Sequence, residues 1–581
     1  MTLTHKPAVL LISAIALVAC QHHQDHQAEH YKRPVVGEVR TTEVIQTEAD
    51  DQSASGSGKR LTGELRPEAI AVAPKASSPA QLRAMSYARP SVMPGSVGAV
   101  SPSGDQYETL YEGGYRDPLL SPLSTFGLDV DTASYSNMRR HIQSGQLPPA
   151  DALRLEELLN YFDYPLPTVS GEHPVALHTS LGAAPWDSTK KLAMVQVKAR
   201  DLDDRQARPN RFVFLVDTSG SMRGEDRLPL LKKAFLALTE RLDADDRVAI
   251  VTYAGSAGVA LPAVSGKDKT AIYRALQSLE SGGSTAGAQG ILTAYQLARA
   301  QFDPNANNRV ILATDGDFNV GPRRTGDLVE LIEQHRDQGI YLTVLGFGHG
   351  NLGDGRMNRI AGHGDGNYYY IDSELEARRV LVDKLQRSLT TVAKDVKIQV
   401  EFNPRQVAAY RLLGYQTRRL AAEDFKDDRK DAGDLGAGQV VTALYEIQPG
   451  QAGEVATALR YQQGRRANTG RSDELMWVKL RYRSPAGGTS REISSVLKEG
   501  DSQESDNLRW AATVAELGLL LKDSEFRGQA SYSGVIRRAE ALLENSRGGA
   551  EDDLRREFVG LARQADLLWQ RRADSALSVR R

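Results

Sequence analysis

The strongest constraint on this chain is the run Phe212-Val213-Phe214-Leu215-Val216, five apolar residues that stop abruptly at Asp217. A strand with one wet face alternates polar and apolar residues, so a short unbroken run fits a strand buried on both faces. Leu231, Phe235, Leu238 and Leu242 then recur at helical spacing, and Val248 to Val251 reads as a second buried strand. Helices are predicted over Thr270 to Leu279 and Ala286 to Phe302, a strand over Val310 to Ala313, and a helix over Gly326 to Gln338. A strand over Tyr341 to Phe347 and a helix over Ser373 to Leu389 complete the series. Repeating βα units predict an α/β fold with a doubly wound, mainly parallel sheet and right-handed crossovers. Ligands of such sheets bind beyond the carboxyl ends of the strands.

Three loops at that edge carry oxygen donors. Asp217-Thr218-Ser219-Gly220-Ser221 follows the first strand directly, placing one carboxylate and two hydroxyls around a tight turn that Gly220 allows to close. Gly282-Gly283-Ser284-Thr285 precedes a helix and offers a third hydroxyl, and Thr314-Asp315-Gly316 ends another strand with a second carboxylate. Each acidic or hydroxyl residue alone could be a helix cap. Three such loops at one sheet edge point instead to a cation site formed by Asp217, Ser219, Ser221, Thr285 and Asp315. Donors without imidazole or thiolate argue against zinc and copper. Few protein ligands suit Mg²⁺, with Mn²⁺ also compatible, better than a Ca²⁺ cage.

This arrangement resembles the metal-ion-dependent adhesion site (MIDAS) of von Willebrand factor type A (VWA) and integrin I domains, a doubly wound, Rossmann-like fold. The resemblance implies that the two serines bind the ion directly and the aspartates act largely through water. It also implies that the threonine engages when a partner binds, and that the partner is a protein presenting Asp or Glu. With two carboxylates the ion keeps electrophilic character toward such an acid group. The stretches Thr125 to Pro167, Asn308 to Gly321, Lys394 to Tyr415 and Gly438 to Ile447 look like the YfbK-like VWA lipoproteins of bacteria, so the likeness extends to both flanks.

The expected division is therefore a signal peptide at 1–19, a tether at 20–106, an N-terminal α+β segment at 107–205, the VWA domain at 206–392 and a C-terminal β-rich and helical module at 393–581. In the last, Val396 to Phe402, Gln439 to Ile447, Val455 to Tyr461 and Met476 to Tyr482 read as strands. Asn507 to Lys522, Gly534 to Leu543 and Asp552 to Arg571 read as helices.

Cys20 is the single cysteine of the 581 residues, so no intramolecular disulfide can form. It follows a cationic start and an apolar run, Ala8 to Ala19, of signal-peptide length and too short to span a bilayer. Leu17-Val18-Ala19-Cys20 resembles the bacterial lipobox, which implies cleavage before Cys20 and acyl chains on it, a stable membrane anchor. Gln21, where retained inner-membrane lipoproteins carry Asp, implies the outer membrane of a Gram-negative envelope. The next 85 or so residues are rich in Ala, Ser, Pro and Gly and read as a tether spanning roughly 50 Å. His22, His23, His26 and His30 sit at its start, without a packed shell to orient them as metal ligands.

Other chemistries fit less well. Asp129-Val130-Asp131-Thr132 matches a phosphatase nucleophile pattern, but the lead-in Pro122 to Leu128 is too polar for a central strand. Gly464 to Arg471 departs from a phosphate-binding loop in spacing and in ending on Arg. Ser219 lacks the G-x-S-x-G setting of a hydrolase nucleophile. A net charge of -2 speaks against nucleic acid as a partner. The sequence thus favours a metal-assisted protein-binding module that is not an enzyme. A structural envelope scaffold pinned by its metal and a Mg²⁺-dependent hydrolase remain the alternatives.

Overall fold

The structure, a computed structural model, describes residues 104–579 apart from 129–130, 202–207, 285–286, 317–324, 385–389, 431, 451–472, 486, 502–503 and 545–547. Cys20, the tether, Asp129, Thr285, the Gly464 to Arg471 loop and the expected strand Val455 to Tyr461 lie outside the described residues. Among the described residues no helix is long and apolar enough to cross a membrane.

Strands β1 (Leu123–Gly127), β2 (Val175–Ala184) and β3 (Asp187–Ala199) come first in the chain. The α/β unit follows with β4 (Asn210–Asp217), β5 (Arg247–Tyr253), β6 (Ala257–Ser265), β7 (Asn307–Thr314), β8 (Ile340–Phe347) and β9 (Tyr368–Ile371). Its sheet has the order β6-β5-β4-β7-β8-β9. All pairings are parallel except that of the edge strand β6, which runs antiparallel to β5. Along β4 the apolar run splits by parity, as the period of two requires. Phe212, Phe214 and Val216 face helices Leu228–Glu240 and Lys269–Gln277. Val213 and Leu215 face helices Gly287–Ala300, Thr325–Asp337 and Asp354–His363. Both faces are covered, which is why this strand reads as continuously apolar. The sheet is doubly wound and mainly parallel, as expected.

The remaining strands are β10 (Thr391–Phe402), β11 (Val407–Leu413), β12 (Arg419–Leu420), β13 (Leu435–Gly436), β14 (Val440–Pro449), β15 (Glu474–Arg483) and β16 (Arg491–Lys498). They do not form a module of their own. β1 is sandwiched between β12 and β10 in the sheet β12-β1-β10-β15-β16, with β13 also on β10. The second sheet runs β11-β14-β3-β2. Segments read from sequence as separate N- and C-terminal parts thus interleave in both sheets, and the α/β unit is an insertion between β3 and β10. The inner faces share one core of Val195, Val197, Ile398, Val400, Val441, Tyr445, Val478 and Leu480.

A helical layer completes the fold. Asp506–Leu521, Tyr532–Glu544 and Ala550–Val579 pack with Ala133–Gln143 and Leu155–Leu159 around Trp510, Phe162 and Phe558. Buried polar bonds tie these flanks to the α/β unit. Arg139 pairs with Asp372 at 2.5 Å and Glu376 at 2.9 Å, and Arg154 with Asp354 at 2.7 Å. Of the helix expected from Ser373 to Leu389, the described part is an α-helical segment, Glu374–Arg378, that widens into a π-helical turn over Arg379–Lys384. There Arg379 stacks over the Tyr161 ring at 3.7 Å and donates to the Tyr161 carbonyl, tertiary bonds that helical periodicity does not record.

Candidate functional site at the carboxyl edge of the sheet

β4 delivers Asp217 at its last residue, and the chain turns at once into a short 3-10 segment, Gly220–Arg223. The Asp217 carboxylate is fully buried and fixed from three sides. Its Oδ1 accepts from the Ser219 N–H at 2.9 Å. Its Oδ2 accepts from the Tyr253 hydroxyl at 3.1 Å and the Thr314 hydroxyl at 3.1 Å. Burial pushes this carboxyl up to about 6, with the neighbouring Asp315 charge adding to the rise and the Ser219 and Thr314 bonds opposing it. Ser219 Oγ and Ser221 Oγ stand 2.9 Å apart. Ser219 is buried, Gly220 is exposed and Ser221 lies between, so the turn opens to solvent on one side.

The second loop is bound to the first by its backbone. Gly220 N–H donates to the Gly283 carbonyl at 3.1 Å, and Gly282 N–H donates to the Thr218 carbonyl at 2.8 Å. Gly283 has φ +83°, a left-handed turn that glycine favours. The third loop joins through Thr314, whose hydroxyl bonds Asp217, and through Asp315, which is buried. Gly316 takes φ +106°, and a Cβ there would stand 2.5 Å from the Asn351 carbonyl oxygen and from Gly353 N. Only glycine fits that crossing.

The structure therefore brings Asp217, Ser219, Ser221 and Asp315 to one rim, with Thr285 beyond the described residues. Tyr253, Thr314 and Arg227 are additions that the sequence reading missed. Tyr253 ends an apolar strand and reads as core, and Thr314 is overshadowed by Asp315 beside it. Arg227 sits within its own helix start, yet it donates to the Ser221 and His349 carbonyls and lies 3.4 Å from Asp315 Oδ2. Among the described residues no group of three or more His, Cys, Asp or Glu could hold a metal. The donors here are instead two carboxylates and hydroxyls. The paired serine hydroxyls on the open side and the lone pairs left on the two carboxylates make an all-oxygen donor set, so the residues present fit a hard, oxygen-seeking ion.

Asp131, the second acid of the phosphatase-like pattern, is engaged elsewhere. It accepts from the Tyr368 N–H at 2.7 Å and from Asn358 Nδ2 at 2.8 Å, stapling the N-terminal flank to β9.

This fold and rim define a VWA domain, and the family model described as "von Willebrand factor type A domain" matches residues 212–387. A model described as "von Willebrand factor" matches 101–194, and one described as "Uncharacterized protein YfbK, C-terminal" matches 387–568. The chain is 38% identical to "Uncharacterized protein YfbK" of Escherichia coli (strain K12) over 474 residues, 80% of this chain and 82% of that one. It belongs to the YfbK family of VWA-domain proteins. It is also 26% identical to "Inter-alpha-trypsin inhibitor heavy chain H3" of Homo sapiens over 336 residues, 54% of this chain and 35% of that one. Among solved structures, "von Willebrand factor type A from Catenulispora acidiphila" aligns over 68% of this chain and 96% of that one, at 17% identity and a TM-score of 0.38. VWA domains commonly mediate protein–protein interaction.

Proposed function

We propose that this chain is a protein-binding module of the bacterial envelope, anchored through acylated Cys20, whose VWA domain holds Mg²⁺ or Mn²⁺ and presents it to a partner's Asp or Glu. The metal would be held by Asp217, Ser219, Ser221, Thr285 and Asp315. The observation that carries this reading is the convergence of the three loops. Two backbone bonds lock the first to the second, the Thr314 hydroxyl locks the first to the third, and the paired serine hydroxyls remain at the open side. A bound dication would supply an electrophilic centre for an anionic oxygen. Asp217 and Asp315 would offset part of its charge, while the hydroxyls orient it and neutralise nothing. Binding rather than hydrolysis is favoured because Ser219 Oγ faces a second serine hydroxyl and, among the described residues, bonds no imidazole.

The test is the pair Asp217→Ala with Ser221→Ala in the full chain. Mg²⁺ should raise the melting temperature of the wild type and not of the double variant, and a crosslinked partner should be lost on adding EDTA or on introducing the variant. An unchanged metal response in the double variant would refute the site. The scaffold reading draws on the same loop convergence, and it requires that chelation lower the melting temperature while leaving every crosslink in place.

A further inference from the structure

A second polar site lies away from the sheet edge, in the wall of the β-sandwich. A cavity of about 190 Å³ is bounded by Arg116, Arg419, Arg411, Tyr410, Ser124 and Gly114 among others, and no carboxylate residue lines it. Arg411 is already neutralised, its Nη2 lying 2.7 Å from Glu446 Oε2 and its Nη1 3.4 Å from Glu112 Oε1. Arg116 and Arg419 are different. Among the described residues neither has an acidic side chain within ion-pair reach, and each adds to the positive field at the other. Arg419 is depressed below the usual guanidinium range by burial first and by Arg116 second. The chain is shaped to admit its guanidinium: a Cβ on Gly113 would stand 2.2 Å from Arg419 Nη2.

We propose that this cavity binds a phosphate-class oxyanion, held between the guanidiniums of Arg116 and Arg419. Two like charges brought together beside a half-closed cavity cost free energy that a shared dianion reverses. Guanidinium is the side chain best matched to bidentate bonding of such an oxyanion. Ser124 adds a donor on the same wall. Its Oγ accepts from the Tyr445 hydroxyl at 2.9 Å, which leaves its own O–H to donate. A cavity of this size holds about six waters' worth of volume, room for a phosphate and part of its ester substituent. The phosphate is either free or the headgroup of a lipid. The site is independent of the cation rim and does not rest on it.

Isothermal titration of the full chain, solubilised in detergent, with inorganic phosphate and with glycerol phosphate tests this. Saturable binding is expected to one or both. Tighter inorganic phosphate assigns the free anion, and tighter glycerol phosphate assigns an esterified headgroup. Arg116→Gln and Arg419→Gln should each weaken binding about tenfold or more. In phosphate-free buffer both variants should unfold at a urea concentration no lower than the wild type, since each relieves repulsion. Wild-type affinity in both variants would overturn the proposal. So would a response to acetate or succinate with none to phosphate, or the absence of any heat with either phosphate.

Discussion

Arg154 offers the sharpest test of how the flanks hold the α/β unit. It is buried, with its guanidinium between two buried carboxylates, donating to Glu157 and, at 2.7 Å, to Asp354 Oδ2. Asp354 opens helix Asp354–His363, while Glu157 belongs to the N-terminal flank, so one cation spans the seam. Arg154→Met keeps the aliphatic bulk and removes the charge. Among the described residues Glu157 then keeps the Ser134 N–H, at 2.8 Å, and Asp354 the Asn137 amide, at 3.3 Å. Leaving buried carboxylates without their cation costs about 3–5 kcal/mol. Urea unfolding followed by far-UV circular dichroism should show that loss. Adding Glu157→Gln and Asp354→Asn to the same variant should recover more than half of it, because amides still accept the remaining bonds without a net charge. A loss below about 1 kcal/mol, or a triple variant no better than the single one, would refute the reasoning.

His141 predicts a dependence on acid. Its Nε2 lies 3.1 Å from Arg140 Nη2 and 3.2 Å from the Tyr107 hydroxyl, and burial followed by the Arg140 charge lowers its pKa to about 4. A depressed histidine contributes stability that is whole above the unfolded value of about 6.5 and is lost as pH falls toward 4. The difference in unfolding free energy between wild type and His141→Gln should therefore shrink by up to about 3 kcal/mol between pH 7 and 4; a flat difference would contradict it. Gly316→Ala should destabilise the third loop through its positive φ and the 2.5 Å clash, and should abolish the Mg²⁺-induced rise in melting temperature even though no ligand is changed. Thr314→Val removes one hydroxyl from Asp217 and should cost about 1–3 kcal/mol in urea unfolding.

The α/β unit was legible because local pattern and burial agree there. Phe212 to Val216 is apolar at both parities for the reason that both faces of β4 are covered, and the Asp217, Gly283 and Asp315 turns follow strand or helix boundaries that the pattern marks. The edge strand β6 was missed because its residues are largely exposed and carry little apolar periodicity. The sandwich was legible strand by strand and illegible as a whole. β1 pairs with β10, and β3 with β14, across the inserted unit, and no local signal encodes partners so far apart in the chain. The rim's supports were hidden for another reason. Tyr253 looks like core until its hydroxyl is seen on Asp217, and Arg227 looks like a surface cation until it spans three loops.

The most direct measurement is anomalous diffraction from crystals of the folded region soaked in Mn²⁺. The account expects one strong peak at direct coordination distance, about 2.0–2.6 Å, from both Ser219 Oγ and Ser221 Oγ, with Asp217 and Asp315 around it. A featureless rim at saturating Mn²⁺, or a peak lodged elsewhere on the molecule, would contradict it.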